Sequence, residues 1–73
     1  MKALVTGGGG FLGQAIVEKL LERGDIARVM GRRKYPYIEK LGVETFAGDV
    51  RNLKEVETAV KGMDAVFHVA SMT

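Results

Sequence analysis

Polar and apolar positions along the 73-residue chain fall into seven short runs that alternate between two periods. Residues 2–5 (KALV) are almost wholly apolar and run straight into glycines, as expected of a strand buried on both faces. From residue 11 to residue 23 the apolar positions Leu12, Ala15, Ile16 and Leu20, flanked by Val17 and Leu21, recur at helical spacing. Gln14, Glu18, Lys19, Glu22 and Arg23 fall between them. Gly24 supplies the stop. A second strand is expected at 26–30, followed by a basic loop at 31–35. Pro36 then opens a short helix through Leu41, closed by Gly42. Residues 43–47 (VETFA) read as a third strand. Asn52 with Glu55 three positions later is a capping-box start, and Leu53, Val56, Ala59 and Val60 form the apolar stripe of a third helix that Gly62 ends. Residues 65–69 (AVFHV) make a fourth strand.

Strands alternating with helices at this spacing predict an α/β fold, a partial Rossmann-like arrangement of three layers. Its parallel sheet has right-handed crossovers, order 3-2-1-4 and helices on both faces. The order reverses between the first and fourth strands, and ligands of such sheets bind in that crevice. The glycines stand at its mouth.

Glycine loses more conformational freedom on folding than any other residue, so four in succession (Gly7 to Gly10) call for a compensating role. Phosphate provides one: a diphosphate needs room beside the main chain, and a helix N-terminus offers free N–H groups with partial positive charge. Two registers overlap. Gly8, Gly10 and Gly13 satisfy G-x-G-x-x-G, while Gly7, Gly10 and Gly13 satisfy G-x-x-G-x-x-G with Thr6 in front. The alternative is a tight turn without a ligand.

Composition narrows the classes. The chain is one domain, residues 1–73, with the hydrophobic share of an ordinary globular protein, and a domain this small buries only about 60% of its unfolded surface. The absence of cysteine excludes disulfides, thiolate metal sites and thiol nucleophiles. A net charge of +2 does not argue for nucleic acid, and the basic residues Arg28, Arg32, Arg33 and Lys34 come without an aromatic stacking platform. No apolar run is long enough to span a membrane, so no membrane partner and a cytoplasmic location are expected.

The stretches VTGGGGFLG, AGDVRN and VFHVAS, in that order, resemble the N-terminal part of the extended short-chain dehydrogenase/reductases, the NAD-dependent epimerase/dehydratase group. The four-glycine form is most similar to the 3β-hydroxysteroid dehydrogenase-like and dihydroflavonol reductase-like branches. The resemblance implies that Thr6, Gly7, Gly10 and Gly13 wrap a diphosphate, with the amides of Phe11 and Leu12 facing phosphate oxygens. It implies that Asp49 accepts from the adenine amino group and that Val50 donates from its backbone; the plainer role for Asp49 is to cap the turn before Asn52. Val69, Ala70 and Ser71 would pass along the cofactor ribose. His68 holds the family's histidine position, with loop anchoring and ligand contact both open.

In an NAD site an acidic residue near the end of the second strand holds the ribose hydroxyls. Here Gly31 stands in that place, followed by Arg32, Arg33 and Lys34. A missing carboxylate removes repulsion, and a guanidinium fork suits a 2′-phosphate, so NADP is favoured over NAD with Arg32 the nearer ligand; the plainer reading of the three basic residues is an ordinary solvated loop.

The family's catalytic Tyr-x-x-x-Lys is missing: Tyr35 and Tyr37 are followed four residues later by Glu39 and Leu41. The expectation is a dinucleotide-binding half-domain, a fragment of a longer oxidoreductase, epimerase or dehydratase truncated after the fourth strand and inactive alone. The parent's substrate would be a sugar nucleotide, a steroid-like molecule or another hydroxyl or carbonyl compound. The alternative is a free-standing nucleotide-sensing or protein-interaction module. An unpaired fourth strand would also promote self-association through its edge.

Overall fold

The computed structural model describes residues 1–7, 11–32 and 35–69, with the backbone alone at Phe11. Within them the chain runs β1 (Lys2–Thr6), α1 (Phe11–Glu22), β2 (Ile26–Gly31), α2 (Pro36–Glu39), β3 (Glu44–Ala47), α3 (Leu53–Val60) and β4 (Ala65–His68). All strand pairs are parallel and the order is β3-β2-β1-β4. Register is continuous across the sheet: Val5 stands opposite Val29 on one side and Phe67 on the other, and Thr6 opposite Met30 and His68.

Element ends follow from hydrogen bonding. Helix α1 stops one residue earlier than its periodicity suggests because Gly24 (φ +82°) closes it in a Schellman turn, with Asp25 N donating to Leu20 O and Gly24 N to Leu21 O. Asn52 caps α3 by accepting from Glu55 N at 3.2 Å, as the capping-box reading requires. The Glu55 carboxylate, however, accepts from Asp49 N at 3.4 Å, so it serves the strand end and not its own cap. Helix α2 is shorter than expected. Its last turn tightens into bonds three residues long, from Leu41 N to Ile38 O and from Gly42 N to Glu39 O.

Two apolar layers flank the sheet. On one face Val17 and Leu20 of α1 and Ile38 of α2 pack on Ala3, Val5, Ala27 and Val29. On the other, Ala59 of α3 packs with Leu4 and Met30, joined by the partly buried Val56 and Val60. Two leucines depart from the expected stripes. Leu12 is 61% exposed and Leu53 71% exposed, each standing in the first turn of its helix. Ala15 is exposed as well. An open apolar groove of about 270 Å³ runs between α1 and β4, lined by Ala15, Ile16, Leu20 and Phe67 with Lys19 and Arg23 at its rim.

Candidate functional site

Because every strand is parallel, all four C-terminal ends reach the same edge of the sheet. There they are tied together by main-chain bonds that continue past the strands: Gly7 N donates to Met30 O at 2.9 Å, Gly48 N to Gly31 O at 2.7 Å, and Val69 N to Thr6 O at 3.1 Å. The edge therefore brings together Thr6 and Gly7, the first turn of α1, Gly31 and Arg32, the 48–50 segment, and His68 with Val69.

Gly7 meets two independent demands. Its φ of +77° lies in the left-handed region, and a Cβ at this position would stand 2.7 Å from Val69 O. No other residue type fits without moving the backbone after β4. Thr6 is buried and its Oγ1 shares a 2.6 Å hydrogen bond with Nδ1 of His68, across the β1–β4 junction. His68 thus anchors the two strand ends to each other. Gly13 is buried in the first turn of α1, and Leu12 beside it is exposed.

Asp49 follows β3. Its carboxylate accepts from Arg51 N at 2.8 Å, closing the turn, and takes both arms of the Arg51 guanidinium, Nε at 3.1 and 3.2 Å and Nη2 at 2.8 Å. Those bonds, side chain first and then backbone, with a smaller contribution from the charge of Arg32, hold its pKa down to about 2. Asp49 therefore caps the turn before Asn52 and remains ionised at neutral pH. Val50 beside it is 47% exposed, and its amide has no hydrogen-bond partner among the described residues. Arg32 is exposed at the end of β2.

Of the residues singled out from sequence, Thr6, Gly7, Phe11, Leu12, Gly13, Arg32, Asp49, Val50 and Val69 lie along this one edge. Gly10, Arg33, Ala70 and Ser71 lie outside the described residues, as do Gly8, Gly9 and Lys34. Two participants were not anticipated. Arg51 organises Asp49, and its signal in the sequence was an opposite charge two residues away. Tyr35 packs over Gly31, with nothing in the sequence to indicate that the loop folds back. Among the described residues no cluster of three histidine, aspartate or glutamate side chains could hold a metal, and no helix is long and apolar enough to cross a membrane.

Comparison with known proteins agrees with this architecture. Residues 4–73 match the model of the 3-beta hydroxysteroid dehydrogenase/isomerase family. The chain is 50% identical over 68 residues to a 2-alkyl-3-oxoalkanoate reductase of Stenotrophomonas maltophilia, covering 93% of this chain and 21% of that protein. It is 42% identical over 71 residues to a 3-beta-hydroxysteroid dehydrogenase of Mycolicibacterium neoaurum, covering 97% and 19%. Among solved structures it resembles the UDP-glucose 4-epimerase of Thermus thermophilus, in complex with NAD, with a TM-score of 0.83 and 38% identity over all of this chain and 25% of that one. The chain thus spans about a fifth of the length of its curated relatives.

Proposed function

Since the chain belongs to the 3-beta hydroxysteroid dehydrogenase/isomerase family, we propose that its shared strand edge binds a nicotinamide dinucleotide. The observation that carries this reading is Gly7, whose φ of +77° and lack of a side chain let the main chain turn closely past Val69 O toward the start of α1. A cradle without a side chain, next to a helix N-terminus, suits a diphosphate. In this reading Thr6, Gly7, Gly10 and Gly13 surround the diphosphate and the amides of Phe11 and Leu12 donate to it. The ionised Asp49 accepts from the adenine amino group, and the unpaired Val50 amide donates to the ring. Val69, Ala70 and Ser71 pass along a ribose.

Arg32 and Arg33, beside the side-chain-free Gly31, favour NADP over NAD: a guanidinium attracts a 2′-phosphate, and no carboxylate at position 31 repels it. The bound nicotinamide would accept or supply hydride at a substrate carbon. This chain contributes the binding and orientation of that cofactor to an oxidoreductase acting on a hydroxyl or carbonyl compound.

A parallel titration with NAD(H) and NADP(H), followed by amide NMR, tests the reading. Shifts should concentrate at Gly7, Leu12, Gly13, Asp49 and Val50, with NADP(H) the tighter ligand and Arg32→Ala narrowing the difference. Unperturbed amides at millimolar cofactor would refute it.

A further inference from the structure

The end of β2 contains more than a basic loop. A Cβ built on Gly31 would stand 2.5 Å from the Tyr35 hydroxyl oxygen, 2.6 Å from Cε2 and 2.9 Å from Cζ. The phenol of Tyr35 therefore fills the volume that any side chain at position 31 would enter. The ring is held there from behind. Tyr35 packs against the α1/α2 core, and the next residue, Pro36, opens a helix whose Ile38 is fully buried. Gly31 in turn is fixed by the bond from Gly48 N to its carbonyl, one residue before Asp49. The Tyr35 hydroxyl has no hydrogen-bond partner among the described residues. An anchored ring with a free polar tip at a ligand-facing strand end is a recognition group in search of its acceptor.

We propose that Tyr35 is a specificity-determining residue for the adenosine end of the cofactor. Its hydroxyl, in the place of the side chain that Gly31 lacks, donates a hydrogen bond to the substituent at the ribose 2′ position. The proposal rests on the dinucleotide reading above and extends it. A carboxylate on residue 31 could only accept, which selects a free 2′-hydroxyl; a phenol donates and carries no charge, which admits a 2′-phosphate. Arg32, next along the chain, supplies the charge, and Tyr35 supplies the direction.

The experiment is a titration of the wild-type chain, Tyr35→Phe and Gly31→Ala with 2′,5′-ADP and with 5′-ADP, read by isothermal calorimetry, with thermal unfolding of each variant alongside. Wild type is expected to prefer 2′,5′-ADP. Tyr35→Phe, which keeps the ring, should lose about tenfold in affinity for 2′,5′-ADP and stay within about twofold for 5′-ADP, since one bond to a charged acceptor is removed. Gly31→Ala should displace the ring and lose the same preference.

If Tyr35→Phe binds both ligands as wild type does, or weakens both equally, the hydroxyl reads nothing at the 2′ position and the proposal falls while cofactor binding stands. Equal wild-type affinities for the two ligands would also overturn it. Wild type binding neither ligand would remove the dinucleotide reading itself, and the proposal with it.

Discussion

Replacing Gly7 by alanine separates two effects that the structure superimposes. An L-residue held at φ +77° loses about 1–2 kcal/mol to left-handed backbone strain. The new Cβ would also lie 2.7 Å from Val69 O, well inside ordinary contact. Relieving that overlap moves Val69 away from Thr6 and weakens their 3.1 Å hydrogen bond, worth about 1 kcal/mol. The expected loss is about 2–3 kcal/mol, against a total stability of about 4–11 kcal/mol for a chain this size. Each kcal/mol corresponds to about 4–8 °C in a domain of 60–100 residues, so the melting temperature should fall by roughly 10–20 °C.

Gly24→Ala is the internal control. Gly24 has nearly the same φ, +82°, but nothing lies within 4 Å of its would-be Cβ. The two variants share the backbone strain and the loss of unfolded-chain entropy on replacing glycine, so both cancel in the comparison. Urea titrations followed by circular dichroism should place Gly7→Ala about 1 kcal/mol below Gly24→Ala. Equal losses would mean that Val69 yields freely and that the contact does not constrain the glycine turn.

Three further outcomes follow from other contacts. The Asp49 carboxyl should titrate at about 2 by NMR; its folded pKa lies below the ordinary 3.8, so the stability it adds is present above 3.8 and is lost as pH falls through about 2, and Arg51→Ala, which removes the guanidinium but keeps the backbone donor, should raise the midpoint part of the way back. Arg28→Ala removes the donor to Ala59 O and Lys61 O and the partner of Glu44, and should destabilise by about 1–3 kcal/mol in urea; a loss below about 0.5 kcal/mol would show that α3 is held by packing alone. We also expect self-association through β4, an edge strand with Val66 half exposed; sedimentation should detect it, and Val66→Lys should suppress it, whereas a monomer at all concentrations would exclude it.

The strand order was legible because right-handed crossovers and spacing leave few arrangements for four alternating units. The glycine turn was legible in part: a strand running into glycines calls for a left-handed residue at the β1–α1 junction, where Gly7 has φ +77°, whereas the nearness of Val69 O to its would-be Cβ comes from the far end of β4 and is not written in the local sequence. The positions that escaped are those decided at long range. Leu12 and Leu53 carry the right residue type at the right spacing, yet each stands exposed in the first turn of its helix, and periodicity alone does not say which turns find a packing partner. Arg28 reaches carbonyls 31 and 33 residues away. Tyr35 fills a space that exists only because Gly31 has no side chain, a relation between a loop and a strand end that periodicity does not encode.

The hydrogen bond between Thr6 and His68 spans 62 residues, nearly the whole chain. Contacts of such separation form late, since the longest loop must close before they contribute anything. In a polypeptide synthesised from its N-terminus at about 5–20 residues per second, Thr6 emerges 62 residues ahead of His68 and the turn beside it waits for that stretch to follow. Among the four described strands, the pairing of β4 with β1 is thus the last to form. A ligand seated in the crevice between them would act as a fastener on that pairing, and its first detectable effect should be slower amide exchange in β4.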